Sequence, residues 1–435
     1  MVVKDAYVYV NIAGDDVLAG RIQHVREPRA ERYFFAYGRS YLSNPDAFSL
    51  DPRHLPLSEG VSVFPQLPLA FQDAGPDDYG RYLFEVLHGH RPDSPLDYLV
   101  DNGTASIGAL SFGASKEGPG RSRLVPDTDL DELADAVQRL EEKKPVSAPM
   151  RRLLMPGASL PGARPKALVV DEQGQQWIAK FSRPNDLFNI PIGEYASMQA
   201  ASQLINTAPV RFERLGRHDI FLTRRFDRED SQRLHFLSAY TLLGANQATE
   251  ETLYRDFGYP ALAQLCKGVS DRPREDVREL FHRLAVNVMF GNRDDHLKNH
   301  GFLKCPGKNQ YRLSPAYDIV PGAGGSTHAI GLNASTATPS LEVLLDTASH
   351  FGLEEADVRE ILEQTNALVD SMLTIAQDTG MSATECKLME QGTFRYTPTQ
   401  IYYRQTGSLD HLDLSNLDGL GASPEHTPTT LKRGH

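Results

Sequence analysis

The sequence has few cysteines and no long apolar segment. Among its 435 residues there are only three cysteines, Cys266, Cys305 and Cys386, and no two of them form a Cys-x-x-Cys pair. This excludes a disulfide framework and a zinc ribbon and favours a reducing compartment. No apolar run approaches the roughly 20 residues that a membrane-spanning helix needs, and the N-terminus lacks the pattern of a signal peptide. We therefore expect a cytoplasmic protein without a membrane segment.

The sequence is also poor in positive charge. It has 45 Lys and Arg residues against 57 Asp and Glu residues, and its net charge is −12. Broad nucleic-acid binding needs an excess of Lys and Arg to contact the phosphates, so we expect no such binding. The charge remains compatible with a protein partner that itself binds DNA. The length allows two or three domains, each with its own core.

Strand-like segments come first in the central part of the chain and helical patterns follow, which is typical of an α+β fold. Aromatic and β-branched residues predict strands at 6–12, 31–38 and 106–115. Further on, the patterns predict a hairpin around 172–174, a strand pair over 211–226, and helices at 192–205 and 276–290. Gly291 stands where the last of these helices should end.

Composition shifts predict how the chain is divided. We expect a β-rich mixed subdomain at 1–125, a linker helix at 126–150, a part like the N-terminal lobe of a kinase at 151–235, a helical catalytic lobe at 236–420 and a disordered tail at 421–435. Thr128 and Asp131 have the spacing of a capping box for the linker helix.

The segment GNRDDHLKNHGFL, residues 291–303, is dense in titratable side chains. Asp294 and Asn299 have the spacing of the protein-kinase loop, in which an Asp accepts the hydroxyl proton and an Asn holds Mg²⁺. One rigid loop can thereby present a carboxylate to the attacking hydroxyl and an oxygen ligand to the metal. Lys298 is a candidate for neutralising the γ-phosphate, and Asp295 and His296 are candidates for orienting the loop or assisting the catalytic acid.

Three further residues fit the same chemistry. Lys180 lies at the end of the strand-like segment WIAKF, as in the Val-Ala-Ile-Lys pattern of kinases, and Glu194 in the following helix is its natural ion-pair partner. The pair would hold Lys180 toward the α- and β-phosphates of ATP. Asp318 is expected directly after a strand, where a kinase carries its other Mg²⁺ ligand on a short strand of its own.

The segment PGASLPGARPK, residues 156–166, precedes the strand that carries Lys180. Gly157 and Gly162 allow backbone N–H groups to approach phosphate oxygens, with Ala158 and Ser159 between them. It is not a Walker A loop, because the Lys and the Ser or Thr that end such a loop are missing. Glycine-rich loop, strand Lys, helix Glu, Asp-x₄-Asn and a later Asp occur in the order that kinase-like folds require. A zinc or two-metal hydrolase is disfavoured, because the other histidines do not cluster.

These segments resemble the HipA family, the serine/threonine-kinase toxins of bacterial HipBA toxin–antitoxin systems. SLPGARPK is similar to the family's Ser-x-x-Gly-Ala-x-x-Lys loop, FGNRDDHLKN to its catalytic segment and SPAYDIV to its metal-binding strand. FQDAGPDDYGRYLFE and SIGALSF resemble two landmarks of its N-terminal half. The resemblance covers nearly the whole chain. It implies a two-lobed kinase-like fold of the HipA and PI3/4-kinase type with a helical C-terminal lobe.

The resemblance also implies roles for individual residues. Asp294 would be the catalytic base, assisted by His296 and Lys298, and Asn299 and Asp318 would hold Mg²⁺. The residues implied in ATP binding are Lys180, Glu194, Gly157, Ala158, Ser159, Gly162 and four residues of a hinge that contacts adenine, Leu222, Thr223, Arg224 and Phe226. Ser159 matches the serine that is autophosphorylated in the family. ATP and Mg²⁺ are the implied cofactors.

The implied partners are a HipB-like DNA-binding antitoxin and a protein substrate of the translation machinery, such as an aminoacyl-tRNA synthetase. Two other functions remain open. A small-molecule phosphotransferase uses a similar Asp-x-His-x-x-Asn loop and a later metal-binding Asp. A kinase fold without activity could serve as a co-repressor with a DNA-binding antitoxin, although all the catalytic positions are present here.

Overall fold

An antiparallel five-stranded sheet forms the N-terminal part of the chain. Its strands are β1 (Val2–Ile12), β2 (Asp15–Glu27), β3 (Ala30–Tyr37), β4 (Ser62–Phe64) and β5 (Leu110–Gly113), in the order β4-β3-β2-β1-β5. We describe the protein from a computed structural model that covers residues 2–122, 124–154, 164–249, 252–322 and 325–394. The strands predicted at 6–12 and 31–38 are present, and the one predicted at 106–115 is shorter.

Four helices accompany this sheet. They are α1 (Arg39–Leu42), α2 (Leu69–Asp73), α3 (Asp78–His88) and α4 (Pro95–Asn102). Ser94 accepts a hydrogen bond from the backbone N–H of Leu96 and begins α4 with a capping box that it completes with Asp97. The segment between α2 and α3 is important for the functional site, because it extends toward the helical part of the molecule.

A second five-stranded sheet carries the lysine strand. It contains β6 (Val125–Pro126), β7 (Lys166–Val170), β8 (Gln176–Phe181), β9 (Val210–Leu215) and β10 (His218–Arg224), in the order β6-β7-β8-β10-β9. The predicted hairpin and strand pair are therefore both present. The Asp171 carboxylate accepts hydrogen bonds from the backbone N–H groups of Gln173 and Gln175, which closes the turn between β7 and β8.

The region predicted as a linker helix contains α5 (Leu130–Glu141) and α6 (Ala148–Leu154). The apolar residues of α5 are buried in one core with residues of α3, β7, β8 and β10. The predicted capping box is wrong, because it needs Thr128 as the N-cap and the helix begins one residue later. Asp129 is the N-cap, and its side chain makes no capping hydrogen bond.

Eight further helices lie in the described part of the remaining chain. They are α7 (Ile190–Ala201), α8 (Ala239–Leu243), α9 (Leu253–Phe257), α10 (Tyr259–Val269), α11 (Pro273–Met289), α12 (Leu341–Phe351), α13 (Glu355–Asp378) and α14 (Ala383–Gly392). Two short sheets accompany them, formed by β11 (Arg228–Glu229) with β12 (Gln232–Arg233), and by β13 (Phe236–Ser238), β14 (Gly301–Lys304) and β15 (Tyr311–Leu313). Among the described helices, none combines the length and apolar character of a membrane span.

The chain turns sharply where α11 ends. Gly291 has φ +71°, a left-handed backbone conformation that favours glycine. A Cβ atom at this position would lie 2.1 Å from the carbonyl oxygen of Gly392, so a larger residue would also collide with the end of α14. This turn directs residues 292–299 toward the second sheet. The predicted tail at 421–435 lies outside the described residues.

Candidate active site

A cavity of about 380 Å³ lies between the second sheet and the helical part of the molecule. Four of the residues predicted to carry chemistry line it, namely Lys180, Asp294, Asn299 and Asp318. They come from β8, from the loop after α11 and from the segment after β15. The fold thus brings together residues that are up to 138 positions apart in the chain.

Lys180 is the centre of a buried ion cluster. Its Nζ donates to Glu194 Oε1 at 2.6 Å and to Asp318 Oδ1 at 2.5 Å. Burial opposes the charge on Lys180, but the carboxylates of Asp318 and Glu194 raise its pKa overall. Burial, with the negative charge of Asp318, raises the pKa of Glu194 to about 7, although Lys180 opposes the rise. The ion pair expected between Lys180 and Glu194 is present.

Lys166 adds a second buried cation, which the sequence reasoning did not single out. It lies opposite Lys180 in the pairing of β7 with β8, lines the same cavity and is only 6% exposed. Burial, followed by the charge of Lys180, lowers the pKa of Lys166 to about 8. Its position in the sequence could have identified it. Lys166 begins the first strand of the predicted hairpin and Lys180 lies near the end of the second, so the two lysines are expected to face each other.

Asp318 has an unusual backbone. The prediction that Asp318 directly follows a strand is wrong, because β15 ends at Leu313, and Asp318 itself has φ +60°. A left-handed conformation at a non-glycine residue is strained and is often found at functional sites. Burial opposes ionisation of this carboxyl, but Lys180 and then Lys166 lower its pKa to about 2. It is therefore a carboxylate at neutral pH.

The loop after α11 presents Asp294 to solvent at the cavity wall. Asn299 Nδ2 donates to the carbonyl oxygen of Asp294 at 3.2 Å and ties the two ends of the loop together. Partial desolvation at the cavity raises the pKa of Asp294. An electrostatic interaction with His296 opposes the rise, and the carboxylates of Asp318 and Asp295 add to it. A raised pKa makes a carboxylate a stronger base.

Asp295 holds this loop from beneath. Its buried carboxylate accepts a hydrogen bond from the Tyr259 hydroxyl at 2.6 Å and contacts His300 Nε2 at 2.9 Å. Asn287 Nδ2 donates to the same Tyr259 hydroxyl at 3.1 Å, which connects the loop to α11. Of the two roles predicted for Asp295, the contacts favour orienting the loop.

Lys298 and His296 are not among the residues that line the cavity. Lys298 Nζ is 2.7 Å from Asp77 Oδ1, in the segment before α3, and the carbonyl oxygen of Lys298 accepts a hydrogen bond from the Tyr317 hydroxyl. Both residues are nevertheless close to the cavity, because they belong to the same loop as Asp294 and Asn299, which line it. In this arrangement Lys298 contacts the N-terminal part of the chain rather than the cavity.

The predicted hinge lies at the end of β10. Leu222 and Thr223 are buried, Arg224 is exposed, and the Phe226 ring packs against Tyr317 with centroids 5.3 Å apart. None of the four lines the cavity as described, so their contact with adenine remains a prediction. Gly157, Ala158, Ser159 and Gly162 lie outside the described residues.

Two arginines extend the positive surface of the cavity, and the sequence reasoning missed both. Arg164 makes a two-pronged ion pair with Asp186, with N–O distances of 3.0 and 2.8 Å. Arg293 also lines the cavity, and burial lowers the pKa of its guanidinium. Such groups suit a ligand with several phosphates.

The donor set fits Mg²⁺ bound together with phosphates. Mg²⁺ is held through one or two carboxylates and substrate phosphates rather than by a cage of protein ligands. Asp318 offers a carboxylate, Asn299 offers an amide oxygen, and both line the cavity. Among the described residues there is no cluster of three or more His, Cys, Asp or Glu side chains suited to hold a metal alone.

The β-sheet carries a Lys–Glu ion pair, the helical part carries the loop with Asp294 and Asn299, and the cavity lies between them. This is the arrangement of a kinase-like fold. The chain belongs to the HipA family. The family model of the HipA-like C-terminal domain matches residues 158–373, and that of the HipA N-terminal domain matches residues 10–113.

One solved structure shares the fold of this chain. The HipA chain in the complex of HipA, HipB and operator DNA from Shewanella oneidensis MR-1 is 19% identical, with a TM-score of 0.64; the match covers 89% of this chain and 94% of that one. The predicted α+β, HipA-type fold is thereby confirmed. The proinflammatory kinase CtkA of Helicobacter pylori matches at 11% identity and a TM-score of 0.35, over 52% of this chain and 88% of that one. No curated protein sequence matches the chain significantly.

Proposed function

We propose that the protein is an ATP- and Mg²⁺-dependent serine/threonine protein kinase, the cytoplasmic toxin of a type II toxin–antitoxin system. The observation that carries the proposal is the contact of Lys180 with both Glu194 and Asp318 in a cavity that Asp294 and Asn299 also line. A kinase needs this set of groups in one place: a cation for the phosphates, metal ligands and a base for the acceptor hydroxyl.

In the proposed reaction, a serine or threonine hydroxyl oxygen attacks the γ-phosphorus of ATP. The new O–P bond forms as the bond from the γ-phosphorus to the β,γ-bridging oxygen breaks, ADP leaves, and the hydroxyl proton passes to Asp294. Lys180 neutralises the α- and β-phosphates, and Glu194 holds it in place. Bound Mg²⁺, held by Asn299 and Asp318, would neutralise charge on the phosphates.

The proximity of Lys180, Lys166 and Asp318 has a further consequence in this proposal. Asp318 is paired with Lys180 in the structure. A bound Mg²⁺ would compensate part of the negative charge of Asp318 and so weaken its pairing with Lys180. Lys180 and Lys166 would then be available to the phosphates of ATP. Two neighbouring buried lysines concentrate positive charge at the cavity, which suits a polyanionic ligand.

Residues outside the described cavity complete the proposal. Gly157, Ala158, Ser159 and Gly162 would form the phosphate loop, and Ser159 would be phosphorylated by the enzyme itself. The hinge of Leu222, Thr223, Arg224 and Phe226 would contact adenine, and His296 and Lys298 would assist Asp294. These assignments rest on the resemblance of the sequence to the HipA family.

We also propose a HipB-like DNA-binding antitoxin as partner and a component of the translation machinery, of the aminoacyl-tRNA synthetase class, as substrate. The HipA of similar fold was solved in a complex with HipB and operator DNA. The net charge of −12 suits a basic partner better than direct contact with nucleic acid.

The proposal is tested by incubating the purified full chain with γ-labelled ATP and Mg²⁺, with and without a bacterial translation extract. We expect the label on protein. The amount of labelled protein should not fall when small-molecule acceptors such as sugars or aminoglycosides are added. Label found on a small molecule and never on protein would favour a small-molecule phosphotransferase. Failure to bind Mg-ATP would favour an inactive kinase fold that acts as a co-repressor.

Asp318→Asn should weaken the response to Mg²⁺. We expect the Mg²⁺ concentration for half-maximal ATP binding to rise tenfold or more, because the variant loses a charged ligand. Isothermal titration with ATP at several Mg²⁺ concentrations measures this directly. Asp271→Asn is a control, since Asp271 pairs with Lys308 away from the cavity. An unchanged Mg²⁺ requirement in Asp318→Asn would remove Asp318 from the metal site.

A further inference from the structure

The segment between α2 and α3 reaches from the N-terminal part of the chain to the catalytic loop. Asp77, directly before α3, has its Oδ1 2.7 Å from Lys298 Nζ. Asp73, at the end of α2, accepts hydrogen bonds from both the backbone N–H and the hydroxyl of Ser238, each at 2.7 Å. The two carboxylates therefore attach this segment to the catalytic part of the molecule at two points.

Lys298 is held from three directions. Besides Asp77, the ring of Tyr240 lies 5.8 Å from its Nζ, and the Tyr317 hydroxyl donates to its carbonyl oxygen at 2.6 Å. Tyr317 directly precedes Asp318 in the chain. The side chain and the backbone of Lys298 are thus both fixed beside residues assigned to the metal.

The position of Lys298 also determines that of Asn299. Both belong to the short 3₁₀ turn Leu297–Asn299, in which the Asn299 N–H donates to the His296 carbonyl oxygen at 2.8 Å. Successive residues of such a tight turn cannot move independently. A displacement of Lys298 would therefore displace the amide that is proposed to bind Mg²⁺.

The ion pair between Asp77 and Lys298 contributes little to overall stability. Its side chains are 26% and 39% exposed, and pairs in contact with water are strongly screened. Position, rather than stability, is what such a contact can provide. The charge of Asp77 also reaches the cavity, where it opposes the lowering of the Lys166 pKa.

We propose that Asp77 is a positioning residue of the active site: it holds Lys298, and through the 3₁₀ turn Asn299, in the place that metal binding requires. The N-terminal subdomain would then complete the active site rather than serve only as a docking module. This inference rests on the proposed kinase function.

The test compares Asp77→Asn with Asp78→Asn, the adjacent and exposed carboxylate, and with Asp77→Glu. For Asp77→Asn we expect a threefold or larger fall in kcat and a threefold or larger rise in the Mg²⁺ concentration for half-maximal rate, with the KM for ATP changed by less than a factor of two. Asp77→Glu should recover at least part of both losses, and Asp78→Asn should behave as wild type. Equal Mg²⁺ dependence in Asp77→Asn and wild type would overturn the inference.

Hydrogen–deuterium exchange of the ligand-free proteins gives a second readout that needs no activity. We expect exchange of the segment 294–303 to rise several-fold in Asp77→Asn, and not in Asp78→Asn. If the wild type transfers no phosphate, the proposed function fails, and this exchange still decides whether Asp77 positions the loop. Unchanged exchange in Asp77→Asn would refute the positioning role.

Discussion

Asp294→Asn should lower the rate of phosphate transfer by about 10²–10⁴-fold, the range that a positioned general base contributes. Asparagine keeps the size of the side chain but accepts no proton. Asp294 makes no contact with Lys180 in the cluster that would hold ATP, so the affinity for Mg-ATP should stay within a few-fold of wild type. Single-turnover rates and titration calorimetry separate the two effects.

The pH dependence gives this prediction a further check. The pKa of Asp294 is raised above its usual value, chiefly by desolvation at the cavity. Because only the carboxylate accepts the proton, the rate should fall as the pH decreases through this raised pKa. The residual rate of Asp294→Asn should lack that acid limb. A wild-type rate independent of pH in this region, or an active Asp294→Asn variant, would mean that another group takes the proton.

Asp227→Asn should lower the free energy of unfolding by about 3–5 kcal/mol, as expected when a buried ion pair loses one partner. Asp227 is 2% exposed and contacts the guanidinium groups of Arg225 and Arg228, which also donate to the carbonyl oxygen of Ser106. The variant would leave the buried guanidinium of Arg225 and the largely buried one of Arg228 without their carboxylate. Urea unfolding of the wild type and the variant measures the change.

Asp135→Asn is the matched control for Asp227→Asn. Asp135 also contacts two basic side chains, Arg217 and His218, but it is 44% exposed, and its loss should change stability by about 1 kcal/mol or less. The charges of Arg225 and Arg228 overcome burial and hold the pKa of Asp227 well below its usual value. The stabilising effect of the Asp227 carboxylate is thus complete above pH ~4 and is lost as the pH falls toward the pKa of Asp227 in the folded state. Equal stability losses in the two variants would contradict the role of burial.

Local patterns predicted the parts of the fold whose signals lie within a few residues. The hairpin of β7 and β8 was predicted from the turn residues at 172–174. The Lys180–Glu194 pair was predicted from the kinase-like strand lysine and a glutamate in the helix that comes next in the chain. The end of α11 follows from a glycine after an apolar helix. In each case the residues concerned lie within 14 positions of one another, so pattern and structure coincide.

The sequence did not predict features that depend on distant contacts or on irregular backbone. Strand β2 was missed, since the register shift opposite Val8 and Tyr9 interrupts its alternation. The left-handed backbone of Asp318 has no local signal, and the contact of Lys298 with Asp77 joins residues 221 positions apart. Tertiary packing alone brings these groups together.

The most direct test of the account is to incubate the purified protein with Mg-ATP beside an Asp294→Ala variant and to locate incorporated phosphate by mass spectrometry. We expect phosphate on Ser159 of the wild type and none on the variant. No phosphate on the wild type although ATP binds, or equal phosphate on both proteins, would contradict a serine kinase that uses Asp294 as its base.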